Sequence, residues 1–95
     1  MLFRSEVQER IIRVGNSLGL HARPAGKISQ EAQRYAASIT VHSCDMEADA
    51  KSILDLLSLA APQGTELTLR AQGPDAGDAI TGLSKLFEDM FGEDR

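Results

Sequence analysis

Tryptophan is absent from this 95-residue chain, and cysteine and tyrosine occur once each. A lone Cys44 cannot form an internal disulfide, so a cross-linked export scaffold is excluded and the thiol reads as a passive group near a strand end. No apolar run approaches the roughly 20 residues of a membrane-spanning helix. The opening M-L-F-R-S-E-V-Q-E-R carries charge throughout and lacks the apolar core of a signal peptide. A cytoplasmic protein without stable membrane insertion is therefore expected. Tyr35 is the only tyrosine, and Ser43–Arg95 carries a net charge of −7. The basic and aromatic surface needed by an α+β nucleic-acid binder is missing.

What remains is an ordinary globular balance, 42% apolar and 25% charged, enough for a chain that folds alone. The length suits one domain, residues 1–95, and not two. The overall charge of −4 is unevenly spread: Met1–His42 carries +3. That half leaves room for a small anion.

Periodicity predicts the elements. In V-Q-E-R-I-I-R-V, Val7–Val14, Ile12 and Val14 face together and Arg13 points away, as in a half-buried strand. G-N-S-L-G, Gly15–Gly19, supplies a turn. From Ala22, the residues Ala25, Ile28, Ala32 and Tyr35 recur at helical spacing. Ile39 and Val41 alternate with polar neighbours, Met46, Ala48 and Ala50 repeat the period, and the two runs form a hairpin turning near Cys44 and Asp45.

Ser52 is placed to cap a second, short helix, with Asp55 completing a shortened capping box. Pro62 and Gly64 end that helix, and Leu67, Leu69 and Ala71 alternate in a fourth strand. A last amphipathic helix carries Ala76, Ala79, Ile80, Leu83, Leu86, Phe87, Met90 and Phe91 on its apolar stripe, with Gly82 inside it marking solvent exposure or close packing. The order strand, helix, strand, strand, helix, strand, helix is an α+β sandwich: four strands with one wet face and three helices on the other. Periodicity leaves the sheet order open.

The chemistry concentrates in N-S-L-G-L-H-A-R-P-A-G, Asn16–Gly26. His21 precedes the first helical residues, where orphan amides and the helix dipole favour a dianion. Arg23 adds a fork of donors for phosphate oxygens, and Pro24 sits in the first turn, where a missing N–H costs no internal bond. Gly19 lets the preceding chain approach closely. A neutral imidazole, with a reference pKa of about 6.5, can accept a phosphoryl group as nucleophile. No paired carboxylate, metal-ligand cluster or second histidine stands nearby in sequence to activate water, so the site suits handing phosphate on. The same histidine could instead be a helix cap in a pure docking module.

L-G-L-H-A-R-P-A resembles the active-site motif of HPr, the histidine-containing phosphocarrier family of the bacterial sugar phosphotransferase system, and of its nitrogen-related branch, NPr. The resemblance runs from about Glu9 to Phe91 and includes A-K-S-I-L-D-L-L-S-L-A-A-P-Q-G-T-E-L-T-L. It implies an open-faced β-sandwich with an antiparallel sheet and phosphorylation of His21 at Nδ1. It also implies that Arg23 steadies the phosphoryl group, with Gly19, Ala22 and Pro24 shaping the phosphate site. The implied donor is enzyme I, charged from phosphoenolpyruvate, and the implied acceptors are EIIA domains; neither cofactor nor metal is expected.

K-S-I-L-D-L-L-S-L resembles the segment bearing the regulatory serine of HPr where HPr kinase/phosphorylase is present, which would make Ser52 a second modified residue. Asp55 stands where sugar-system members commonly have glycine, and the tail F-E-D-M-F-G-E-D resembles NPr, whereas K-S-I resembles HPr of kinase-containing bacteria. The sugar and nitrogen branches both stay open. Docking is expected on the rim of His21 with Ile53, Leu54 and Leu57, while Ile28 is equally suited to the core.

Overall fold

In the computed structural model, which describes residues 6–92, the elements follow the expected order: β1 (Glu6–Arg13), α1 (Ala22–Ala32), β2 (Ser38–Ser43), β3 (Met46–Asp49), α2 (Ile53–Ser58), β4 (Glu66–Gly73) and α3 (Ala76–Glu88). A 3-10 turn, Met90–Gly92, follows. The strands form one antiparallel sheet in the order β1-β4-β2-β3. This is the expected α+β sandwich, with the three helices on one face.

Alternation builds the sheet's inner face. Leu67, Leu69 and Ala71 of β4, Ile39 and Val41 of β2 and Ala48 of β3 are buried. Thr68, Arg70 and Gln72 stand on the other side with Thr40 and His42. In β1 the choice between adjacent isoleucines is made by pairing: Ile12 lies opposite Leu67 and faces the helices, whereas Ile11 lies opposite Thr68 and is 66% exposed. Val14 is fully buried, one residue past the strand.

Four details differ from periodicity. Tyr35 lies beyond α1, where its hydroxyl donates to Glu31 Oε2 at 2.6 Å. The chain is turned there by Asp75, which occupies the N-cap position of α3 without capping it. The Asp75 carboxylate instead accepts from Ala36 N (2.9 Å) and Ala37 N (2.8 Å), clipping the α1–β2 connection to α3. The Ala36 bond is the largest cause holding that carboxyl below its usual value.

Second, α2 stops at Ser58, before Pro62, and Ala60 takes a φ of 48°. Third, Ser52 caps α2 by accepting from Asp55 N at 3.2 Å, but Asp55 does not reach back to Ser52. Its Oδ2 accepts from Asp49 N at 3.1 Å instead, because a side chain one carbon shorter than glutamate finds the end of β3 first.

Fourth, α3 ends at Glu88 and the chain folds back through Met90 (φ 51°) and Phe91 (φ 56°). Left-handed backbone costs about 1–2 kcal/mol per residue for side chains such as these. Burying Phe91 returns about 1.5–3 kcal/mol, and its ring lies edge-on to Phe87 at 4.8 Å and 68°. The Phe91 carbonyl accepts from the Lys27 ammonium of α1. Gly82 marks close packing: a Cβ there would collide with the Tyr35 hydroxyl and the Glu31 carboxylate.

Candidate functional site

The turn from Val14 to His21 is held by backbone bonds on both sides. Val14 N donates to Thr65 O at 3.0 Å, Gly64 N donates to Val14 O at 2.7 Å, and Leu20 N donates to Ala61 O at 2.9 Å. Asn16, fully buried, donates from Nδ2 to Gly19 O at 2.8 Å, and the same carbonyl accepts from His21 N at 3.0 Å. Gly19 has a φ of 70°, and a Cβ there would strike the Ala61 carbonyl and lie 2.9 Å from Pro62 Cα. Glycine is thus required twice over, by backbone conformation and by close approach.

His21 is the N-cap residue of α1, with extended backbone (φ −89°, ψ −169°), and its ring does not cap the helix. The first helical bond runs from Ala25 N to His21 O at 3.0 Å, so the amides of Ala22 and Arg23 precede the internal ladder and open beside the half-buried histidine. Pro24 is buried and occupies a first-turn position where its missing N–H removes no bond. Arg23 is exposed, and its guanidinium makes no hydrogen bond or ion pair with any described residue. The turn therefore places His21, Ala22 and Arg23 at one helix start, with Gly19 and Pro24 as its two packed flanks.

Ser52 is a separate place. Ser29 Oγ donates to Lys51 O at 2.8 Å, and Ser29 lies eight residues beyond His21, about 12 Å along the helix axis. At the other end of α2, Ala61 O meets Leu20 N, so α2 runs antiparallel to α1. Leu56 is its inward residue. Leu54 is 79% and Ile53 43% exposed, while Leu57 is half-buried and packed on the core. Ile28 is a core residue.

Sequence periodicity missed Leu18, 72% exposed just before Gly19. Leu18 stands in a turn beside Gly19, which is pressed against the Ala61 and Pro62 backbone, and an apolar residue in such a turn was the available signal. It also missed the bracing role of Asn16. The second histidine, His42, stands on the open face of the sheet, away from the helices, with Nε2 3.0 Å from Thr40 Oγ1 and Nδ1 3.8 Å from Glu47 Oε1. Among the described residues no group of His, Cys, Asp or Glu could hold a metal ion.

The family model for the PTS HPr component phosphorylation site matches residues 8–89. The chain belongs to the HPr family. As an HPr-family protein it is a phosphocarrier of the phosphotransferase system, relaying phosphoryl groups and not acting as an enzyme. It is 41% identical over 86 residues to the phosphocarrier protein HPr of Xylella fastidiosa strain Temecula1, covering 90% of this chain and 97% of that protein. It is 35% identical over 88 residues to the phosphocarrier protein NPr of Proteus mirabilis, covering 92% and 98%.

The crystal structure of HPr-C-His from Thermoanaerobacter tengcongensis superposes with a TM-score of 0.89 at 39% identity, covering 93% of this chain and 99% of that one. The HPr of Bacillus anthracis strain Ames gives 0.81 at 33%, covering 85% and 96%. HPr-family membership implies partners among the proteins of the phosphotransferase system. Among the described residues no helix is long and apolar enough to cross a membrane.

Proposed function

We propose that His21 is the residue through which this carrier accepts and releases its phosphoryl group. The observation that carries the reading is the start of α1: a histidine whose ring does not cap the helix, two first-turn amides and the exposed guanidinium of Arg23, which pairs with none of the described residues. The Nδ1 lone pair of the neutral ring attacks phosphorus. A P–N bond to His21 forms as the bond from phosphorus to the donor breaks, and the ring proton stays on Nε2. Arg23 and the amide end of α1 offset the phosphoryl charge in both directions of transfer. Gly19 sets the ring's approach, Ala22 contributes an amide without bulk, and Pro24 fixes the first turn.

The donor in this reading is phospho-enzyme I and the acceptors are EIIA-type domains, all meeting the carrier in the cytoplasm. They dock over Leu18, Ile53 and Leu54, with Leu57 supporting the patch from its half-buried position. No cofactor enters the transfer. Ser52, the cap of α2, is the second candidate for modification, by HPr kinase/phosphorylase, where added charge would alter docking more than folding.

The test is incubation with phosphoenolpyruvate and cognate enzyme I, read by intact mass and phosphorus NMR, with His21→Ala beside the wild type. One acid-labile phosphoryl group on the wild type and none on the variant is the expected result. A folded wild type left unmodified by enzyme I that is active on known carriers would refute the site and favour a docking module in which His21 only begins a helix.

A further inference from the structure

The 3-10 turn Met90–Gly92, remote from His21 in sequence, meets the chain on both sides of that histidine. On the entry side the half-buried Met90 side chain covers Gly15: a Cβ added to this glycine would lie 3.3 Å from Met90 Cγ and 3.6 Å from Sδ. The Gly15 carbonyl accepts from Gln63 Nε2 at 2.9 Å, so two side chains grip the residue that opens the turn. On the exit side Phe91 O accepts from the Lys27 ammonium. Lys27 lies six residues past His21, about 9 Å along the axis of α1. Gly92 is packed against the same ammonium, where a Cβ would lie 3.1 Å from Lys27 Nζ. The 3-10 turn has its own anchor in Phe91, buried with its ring against Phe87 of α3. Two successive left-handed residues, Met90 and Phe91, persist there only because these contacts over-determine them.

We infer that the Met90–Gly92 turn is a positioning strap for phosphoryl transfer, with Met90 and Lys27 as the residues through which it acts. This goes beyond the reading of His21 as the phosphoryl site and rests on it. Pressure on Gly15 reaches the histidine in short steps: the next residue, Asn16, donates to Gly19 O, and that carbonyl accepts from His21 N. Lys27 ties the helix that carries the amides of Ala22 and Arg23 to the same strap. One element thereby sets the ring and the helix start relative to each other. Phosphoryl transfer depends on such alignment, and a misplacement of about 1 Å can cost about a hundredfold in rate. The strap therefore bears on the rate of the bound complex more than on its formation.

The experiment is single-turnover transfer from cognate phospho-enzyme I, read as maximal rate and half-saturating carrier concentration. It compares the wild type with Met90→Ala, Met90→Leu, Lys27→Met and Asp75→Asn, at a temperature where melts show every variant folded. Met90→Ala is expected to lower the maximal rate about fivefold to thirtyfold with half-saturation within about twofold, and the volume-conserving Met90→Leu to restore it to within about twofold. Lys27→Met should lower the maximal rate in the same way, and should still do so near 1 M salt, where screening over about 3 Å removes any long-range effect of the lost charge. Asp75→Asn loosens α3 at its other end and should leave the rate within about twofold. Amide NMR signals of Gly15–His21 should broaden in Met90→Ala while those of β4 stay sharp. Wild-type rates in folded Met90→Ala and Lys27→Met, a loss confined to half-saturation, or Met90→Leu as slow as Met90→Ala would overturn the strap and leave the carrier reading intact. Absence of transfer to the wild type would instead bring down the site itself.

Discussion

Substitution of Gly19 by alanine tests the construction of the His21 turn most directly. Two costs combine. An L-residue at the observed φ of 70° loses about 1–2 kcal/mol. The added Cβ meets the carbonyl of Ala61 and lies 2.9 Å from Pro62 Cα, both backbone atoms, so a rotamer change cannot relieve the contact. Moving the segments apart breaks the 2.9 Å bond from Leu20 N to Ala61 O, worth about 0.5–1.5 kcal/mol, and draws buried Leu20 from the core.

The expected loss for Gly19→Ala is about 2–4 kcal/mol in urea unfolding, equivalent to at least 8 °C in melting temperature at about 4–8 °C per kcal/mol for a domain of this size. Gly64→Ala is the control: its φ is 90° with nothing within 4 Å of the added carbon, so only the backbone cost applies. The excess of the first variant over the second measures the close approach. Phosphoryl transfer to folded Gly19→Ala should slow even where stability is restored by low temperature, because His21 N hangs on the Gly19 carbonyl at 3.0 Å. Equal stability losses in the two variants, or transfer at the wild-type rate, would refute this account.

Phe91→Ala removes the ring that offsets the left-handed turn after α3 and should cost about 3–5 kcal/mol by chemical denaturation; a loss under 1 kcal/mol would mean that the turn holds without it. Asp75→Asn should flatten the acid limb of the stability curve. The folded carboxyl has a pKa below the ordinary 3.8, so its contribution is complete above that value and is lost as pH falls through the lower folded pKa. Unfolding followed by circular dichroism between neutral and acid pH reads this, and an unchanged limb would contradict it. Ser52→Ala should cost about 1 kcal/mol through loss of the α2 cap, measured by urea melts. It should also abolish any phosphate that the host's own HPr kinase/phosphorylase incorporates; phosphate incorporated equally into wild type and variant would exclude Ser52 as the acceptor.

The legible part of this protein lay in short-range pattern. Leu67, Leu69 and Ala71 alternate, Ala25, Ile28 and Ala32 step around a helix, and G-N-S-L-G-L-H-A-R-P reads as a turn delivering a histidine to a helix start. Each rests on backbone geometry that neighbours within a few residues decide, so the elements, their order and the place of His21 follow from the chain alone. The cap of α2 by Ser52 is of the same kind.

What tertiary structure alone decided depends on neighbours distant in sequence. Alternation puts Ile12 and Val14 on one face, but the partner that covers Ile12, Leu67, and the one that leaves Ile11 in solvent, Thr68, are set by strand pairing. Insertion of β4 between β1 and β2 is invisible to periodicity, which sees a strand's faces and not its edges. The apolar stripe that continued through Met90 and Phe91 ended early, because Phe91 gains more by folding onto Phe87 and presenting its carbonyl to Lys27 than by prolonging α3. Likewise Leu54, Leu56 and Leu57 differ in exposure although they are the same residue in one short helix. A helical period shows that a face exists; the packing beneath it determines which leucine is covered and which is left in solvent.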